Sequence, residues 1–127
     1  MKKKIVLAED DQDFQFILTL LLKNAGYEVM ALSGGTAIVN NRYLAPDLFI
    51  VDVKMVIIDG FALCKYLKLN PYTKDVPVIL MSGCHESRNR ALEVGADYFV
   101  SKPFDIADLL RIINGLMTRS ELVIRDN

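Results

Sequence analysis

Along this chain, short runs of consecutive apolar residues alternate with longer stretches in which apolar residues recur every three or four positions. Runs of the first kind predict buried strands, and stretches of the second kind predict amphipathic helices. Five such pairs follow one another. Ile5 to Ala8 predicts the first strand, and the stripe Phe14, Ile17, Leu18, Leu21, Ala25 predicts a helix that stops at Gly26. Tyr27 to Leu32 predicts the second strand, broken by Gly34-Gly35, with a helix over Thr36 to Leu44 ahead of Pro46-Asp47. Leu48 to Val51 is apolar without alternation, as a central parallel strand covered on both faces must be. Gly60, Leu63, Cys64 and Leu67 mark the third helix, closed by Asn70-Pro71.

Val76 to Met81 supplies the fourth strand with its proline at the start, and Ser82-Gly83 closes it. The helical pattern from Glu86 to Val94 offers only Ala91, Leu92 and Val94 for burial, so this helix is expected to open easily. Tyr98 to Val100 is the last strand, and Ile106, Leu109, Leu110, Ile113 and Met117 carry the stripe of a final helix whose signal fades beyond Thr118. Strands alternating with helices argue for an α/β fold with a mainly parallel sheet.

With 127 residues, 52% of them hydrophobic, the chain has the size of one domain with one core. A net charge of -1 gives no overall attraction to nucleic acid or anionic lipid, and Lys2-Lys3-Lys4 reads as a solvated lead-in to the first strand. No apolar stretch approaches the roughly 20 residues of a membrane span, and no signal peptide opens the chain, so a cytoplasmic location is expected. Cys64 and Cys84 are too few and too far apart for a metal motif or a disulfide framework; both are expected to be reduced thiols.

Glu9-Asp10-Asp11, Asp52, Asp59 and Lys102-Pro103 are distant in sequence, yet most of them directly follow apolar strands. In an open α/β sheet the carboxyl ends of the strands form the ligand-binding edge, so these groups are expected to converge. Carboxylates from two neighbouring strands supply hard oxygen ligands without filling the shell of a small dication, which suits Mg²⁺ with its retained waters. Without metal, each carboxylate pair at 4 Å would repel by roughly 4 kcal/mol at an effective dielectric near 20. An empty site is therefore expected to be strained. Lys102 and Ser82 add a cation and a hydroxyl that can hold phosphoryl oxygens. Asp11 and Asp13 are better placed to complement the dipole of the first helix. His85, in the loop after the fourth strand, has no evident partner that would make it a catalytic base.

The order Ala8-Glu9-Asp10-Asp11, Leu48 to Asp52, Asp59-Gly60, Met81-Ser82-Gly83 and Ser101-Lys102-Pro103-Phe104 resembles the receiver domains of two-component response regulators, from about Lys4 to Met117. The resemblance implies a doubly wound (βα)5 flavodoxin-like sandwich with a parallel five-stranded sheet in the order 2-1-3-4-5. It implies a receiver domain over residues 1–119 and a tail or linker over 120–127. Asp52 would accept a phosphoryl group from the phosphohistidine of a sensor histidine kinase or a histidine phosphotransfer protein. Asp10, Asp52 and the backbone carbonyl of Lys54 would hold Mg²⁺, with Mn²⁺ as a substitute, and Glu9 would reach the ion mainly through water. Lys102 would bind the phosphoryl oxygens beside a cis Lys102-Pro103 peptide. Ser82 and Phe99 would form the switch pair, and Lys54 and Cys84 would flank the pocket and influence attack by water.

The implied role is a signalling switch rather than a dedicated enzyme. It assists its own phosphorylation and dephosphorylation and changes the face built from the fourth helix, fifth strand and fifth helix, where an output partner or a homodimer could form. Direct nucleic-acid binding and membrane association are not expected. Two alternatives stand beside it. One is a degenerate receiver that binds partners without phosphorylation, hinted at by the unusual loop Val56-Ile57-Ile58. The other is an aspartate-nucleophile phosphatase, which needs an acid where Lys54 stands. Off the core stripes, Phe16 and Leu20 are expected to help dock a histidine-bearing helix, and Ile112 and Leu116 to serve a dimer or output contact.

Overall fold

Each apolar run becomes a strand of one parallel sheet in this computed structural model, which describes residues 2–40 and 46–126, the last eight of these by backbone alone. The strands are β1 (Lys4–Ala8), β2 (Glu28–Leu32), β3 (Leu48–Asp52), β4 (Val78–Ser82) and β5 (Tyr98–Ser101), hydrogen-bonded in the order β2-β1-β3-β4-β5. Helices α1 (Gln12–Asn24), α2 (Gly35–Asn40), α3 (Gly60–Leu69), α4 (Ser87–Glu93) and α5 (Ile106–Asp126) alternate with them. This is the doubly wound α/β sandwich implied by the sequence. The expected end of the second helix, residues 41–44, lies outside the described residues.

Alternation of side chains along each strand sends residues to two separate cores. Ile5, Leu7, Leu48, Ile50, Ile79, Met81 and Val100 pack under α1 and α5, while Val6, Ala8, Phe49, Val51, Leu80 and Phe99 pack under α2, α3 and α4. β3 and β4 are buried along their whole length, which is why their sequences show no polar alternation.

Three details differ from the periodic reading. On α1 only Leu18 and Leu22 are fully buried, with Phe14 half-buried, whereas Ile17 is 57% and Leu21 37% exposed. The helix meets the sheet along a narrower edge than its apolar stripe, because the stripe also walls a groove against Pro103, Phe104 and Ile106. On α5, Leu116 is buried and is not free to form the dimer or output contact assigned to it, whereas Ile112 is half-buried and lines the groove beside Tyr98 and Arg111. That helix also continues to Asp126, past the point where its stripe fades.

α4 is weaker than its sequence implies. Only Ala91 is buried, Leu92 is 59% exposed, and Glu86 at its start makes no side-chain capping bond. By contrast α5 buries Leu109, Ile113, Leu116 and Met117, each worth roughly 1.5–3 kcal/mol of transfer from water.

Candidate functional site

Strand register brings the carboxyl ends of the inner strands to one level. Ala8 stands opposite Val51, Asp52 opposite Met81 and Ser82 opposite Ser101, so Glu9, Asp52, Ser82 and Lys102 meet at one edge. Parity then divides them. Glu9, Asp52 and Lys102 continue the rows of Leu7, Ile50 and Val100 on the α1/α5 side, and Ser82 and Ser101 continue the rows of Leu80 and Phe99 on the α4 side. A cleft of about 700 Å³ opens between them, lined by Glu9, Asp10, Asp11, Asp52, Lys54, Ser82, Cys84 and Lys102.

Lys102 reaches across this cleft, its Nζ 2.8 Å from Asp52 Oδ1 and 3.3 Å from Glu9 Oε1. Both acids are buried, Glu9 at 1% and Asp52 at 6% exposure. Burial and then the adjacent Asp52 charge push the Glu9 carboxyl up to about 7, against the opposing pull of Lys102. The Lys102 ammonium is held protonated above its ordinary range: burial works the other way, but the Asp52 hydrogen bond and charge and then Glu9 outweigh it. Lys102 is thus bound more firmly to Asp52 than to Glu9.

Asp10 stands apart from this pair, its Oδ2 accepting a 2.7 Å hydrogen bond from the Val56 amide. The strain expected of three uncompensated carboxylates is therefore largely relieved. Lys102 lies between two of them, Glu9 takes up a proton near neutrality, and the third is turned onto a loop. Among the described residues no three acidic, histidine or cysteine side chains stand close enough together to hold a metal ion. The donor types nonetheless fit a hard dication. Four carboxylates, those of Glu9, Asp10, Asp11 and Asp52, line the same cleft, and Glu9 Oε2 is buried with no hydrogen-bond partner.

The other acids have local work. Asp11 caps α1 by accepting from the Phe14 amide at 3.1 Å, and Asp59 caps α3 by accepting from the Ala62 amide at 2.8 Å. Asp59 does not line the cleft, so its grouping with the site acids is corrected: it holds the helix that follows. Ser82 is buried, and its hydroxyl accepts from the Cys84 amide at 3.0 Å, 3.4 Å from Ser87 Oγ. Phe99 is 3% exposed, with the Arg88 guanidinium 5.7 Å from its ring. The Lys102-Pro103 peptide is cis, as the resemblance implies. Lys54 and Cys84 are both exposed at the mouth of the cleft. Both cysteines are free; burial, with Asp97 adding to it and Lys68 opposing it, pushes the Cys64 thiol up to about 11.

The loop from Val53 to Asp59 is the most unusual part of the cleft. Met55 and Ile58 pack against the core, which anchors the loop on both sides of Val56-Ile57. Ile57, however, has φ 71° and is 87% exposed, and the Ile58 amide donates to the Val56 carbonyl at 2.8 Å. Those features describe a γ-turn of the rarer, strained hand, on a β-branched residue that disfavours it.

Several residues contribute to the site through contacts that a reading of the sequence does not supply. A Cβ on Gly60 would lie 2.4 Å from the Asp52 carbonyl oxygen, so only glycine lets α3 start against the strand that carries Asp52. A Cβ on Gly34 would lie 3.2 Å from Asp10 Oδ1. Gln15 donates from Nε2 to the Glu9 carbonyl at 3.0 Å, fixing the turn after β1. His85 does have a partner: its Nδ1 lies 3.0 Å from Ser101 Oγ, joining the loop after β4 to the end of β5. The two glycines are visible in the sequence as Gly34-Gly35 and Asp59-Gly60, whereas the other contacts join residues distant in the chain.

Comparison with known proteins agrees with this geometry. The family model described as the response regulator receiver domain matches residues 5–114. The phosphate regulon transcriptional regulatory protein PhoB of Rhizobium meliloti is 32% identical over 124 residues, which cover 95% of this chain and 55% of that protein. The chain spans about half the length of the curated relatives it matches. Among solved structures, the signal receiver domain of a signal transduction histidine kinase from Syntrophus aciditrophicus is 33% identical, with a TM-score of 0.82 and coverage of 91% of this chain and 90% of that one. The receiver domain of sensor histidine kinase PA1611 from Pseudomonas aeruginosa, described with a magnesium ion coordinated in its active site cleft, shares the fold at 24% identity and a TM-score of 0.80, over 93% of this chain and 99% of that one. With the fold, the converging edge and the matched span in agreement, the chain belongs to the response regulator receiver domain family.

Proposed function

We propose that this receiver domain is a phosphorylation switch in which Asp52 accepts a phosphoryl group from a phosphohistidine on a sensor kinase or histidine phosphotransfer protein. The observation that carries the reading is the Lys102 ammonium, 2.8 Å from Asp52 Oδ1 at the base of an open, acid-lined cleft. An Asp52 oxygen forms the new bond to phosphorus as the phosphorus–nitrogen bond breaks, and the electron pair of that bond leaves with the imidazole of the donor. Lys102 then moves from the Asp52 carboxylate to the oxygens of the acyl phosphate, without giving up its proton.

A Mg²⁺ ion would be held by Asp10, Asp52 and the Lys54 carbonyl, with Glu9 acting mainly through water, and it supplies charge neutralisation for the incoming phosphoryl oxygens. The magnesium described for the PA1611 receiver supports this assignment. For Asp10 to serve, it must release the Val56 amide. The Ser82 hydroxyl would exchange the Cys84 amide for a phosphoryl oxygen, and Phe99 would turn into the space left behind. Lys54 and Cys84 would govern how easily water reaches the acyl phosphate. The domain assists these steps on itself and is not a dedicated enzyme.

The altered face would be that of α4, β5 and α5, where a groove of about 610 Å³ runs past Arg88, Tyr98, Asp108 and Arg111, and where an output partner or a second copy would bind. On α1, Phe16 is 70% and Leu20 50% exposed, and the apolar groove formed by Ile17, Leu21 and Phe104 adjoins the cleft. This surface would receive the histidine-bearing helix. We assign the receiver to residues 1–119, with 120–127 as a tail or the start of a linker. We infer a cytoplasmic location for the protein; among the described residues no helix is long and apolar enough to cross a membrane.

The test is to add Mg²⁺ and beryllium fluoride, a phosphoryl mimic, and to follow backbone amide resonances. Ser82, Phe99 and the residues of α4 should shift together, and Asp52→Asn should abolish both that response and labelling by phosphoramidate. Absence of any response in the unsubstituted protein would leave the phosphorylation-independent binding module as the better reading.

A further inference from the structure

Lys102 has a third contact that neither carboxylate accounts for. Its Nζ lies 4.3 Å from the centroid of the Phe14 ring, within the range of a favourable cation–π interaction. The ring is held there from two directions. Asp11 caps the Phe14 amide and so fixes the first turn of α1, and the Phe104 ring meets Phe14 edge to face, with centroids 6.0 Å apart and planes at 71°. Phe104 follows directly on Lys102-Pro103, so the segment that delivers the ammonium also grips the ring beneath it.

We propose that Phe14 is a positioning residue for Lys102, its ring face keeping the ammonium aimed over Asp52 while leaving it free to pivot from the carboxylate to a phosphoryl oxygen. The inference rests on the phosphoryl-accepting role proposed for the cleft. The chemistry favours a ring at this place over another hydrogen-bond acceptor. A lysine ammonium has three donors, and in the resting cleft they face Asp52, Glu9 and the ring. A hydrogen bond to a fixed acceptor would penalise the pivot through its directionality. The attraction to a π face varies slowly with angle and survives the movement. A third carboxylate on the ammonium would also add repulsion to a cleft that Glu9 and Asp52 already share. An aliphatic side chain would fill the space but leave part of the ammonium against a surface that offers it nothing.

The decisive variant replaces Phe14 with a ring-trifluorinated phenylalanine, which preserves shape and removes most of the negative charge on the ring face. Phe14→Leu and Phe14→Tyr accompany it. Two quantities are read: the rate of Asp52 phosphorylation by phosphoramidate with Mg²⁺, and the pH at which the Lys102 ammonium titrates by NMR in the metal-free, unphosphorylated protein. The fluorinated and leucine variants should lose about fivefold in rate, and their Lys102 should release its proton at lower pH. Phe14→Tyr should keep both near the unsubstituted values, and fluorination should leave the thermal midpoint unchanged. If the fluorinated protein keeps either the original rate or the original Lys102 titration, Phe14 is only packing and the proposal fails. If the unsubstituted protein is not phosphorylated at all, the functional reading of the cleft is what fails, and the Lys102 titration alone then decides whether the ring holds the ammonium.

Discussion

The helices beside the cleft on the two faces of the sheet, α5 and α4, are anchored to different standards. Under α1 and α5 the core includes Leu18, Leu22, Leu109, Ile113, Leu116 and Met117, and the side chains that rise from this face at the cleft are Glu9, Asp52 and Lys102. On the other face α4 contributes a single buried residue, Ala91, and the side chains above it are Ser82, Phe99 and Ser101. The groups proposed to do chemistry stand on the well-anchored side, and the groups proposed to move stand beside the weakly anchored helix. Geometry must be kept for phosphoryl transfer, whereas a switch needs an element that can shift for little free energy.

The largest effect that would sharpen this contrast is a cavity on the anchored side. Ile113→Ala should destabilise the protein by about 3 kcal/mol in denaturant titration, since Ile113 is fully buried and its surroundings are close-packed. A loss below about 1 kcal/mol would mean that the α5 side is no better packed than the α4 side.

Glu9 provides the next test, through pH. Its carboxyl is raised from an ordinary 4.5 to about 7, so the folded metal-free protein holds this proton more tightly than the unfolded chain. The stabilisation from that proton is complete below pH 4.5 and is lost as pH rises through 7. Glu9→Gln should therefore gain stability relative to the unsubstituted protein across that interval, and the gain should level off above it. Thermal midpoints at a series of pH values without divalent ions would show this, and parallel curves for the two proteins would rule out a buried, proton-holding Glu9. Mg²⁺ should raise the midpoint of the unsubstituted protein, because the proposed site for it is assembled only in the folded state.

Smaller still is the effect of the strained turn. Ile57→Asn should raise stability by about 1 kcal/mol, since Ile57 is 87% exposed with little packing to lose and asparagine accepts its positive φ more readily. A loss of stability would show that the Ile57 side chain makes contacts that outweigh the backbone strain. The smallest change is expected on α4, where Leu92→Ala should lie within about 0.5 kcal/mol of zero because Leu92 is 59% exposed. Hydrogen exchange should agree, with the amides of α4 opening well below the global free energy and those of β3 and α5 opening near it.

Most of the architecture was legible in the residues. Runs such as Leu48 to Val51 and Val78 to Met81, short and bounded by turn residues, read as strands buried on both faces, and acids or lysine directly after such strands reach the same sheet edge. Element type and the convergence of Glu9, Asp52, Ser82 and Lys102 follow from that. Periodicity served less well for helices. It could not say that α1 would bury only one edge of its stripe, or that Leu116 would face inward, because the angle at which a helix lies on a sheet is set by the partners it meets.

What the sequence determined by itself was therefore the identity of the reactive groups and the strand ends from which they project, since both depend on local pattern and chain order. Tertiary structure alone decided how those groups pair. It put Lys102 between Glu9 and Asp52, turned Asp10 onto the Val56 amide, gave His85 its Ser101 partner and set the Phe14 ring beside the ammonium. Each of these contacts joins segments that local preference leaves independent. Their energies depend on burial and on distances of a few ångströms, which exist only once the sheet has aligned its strands.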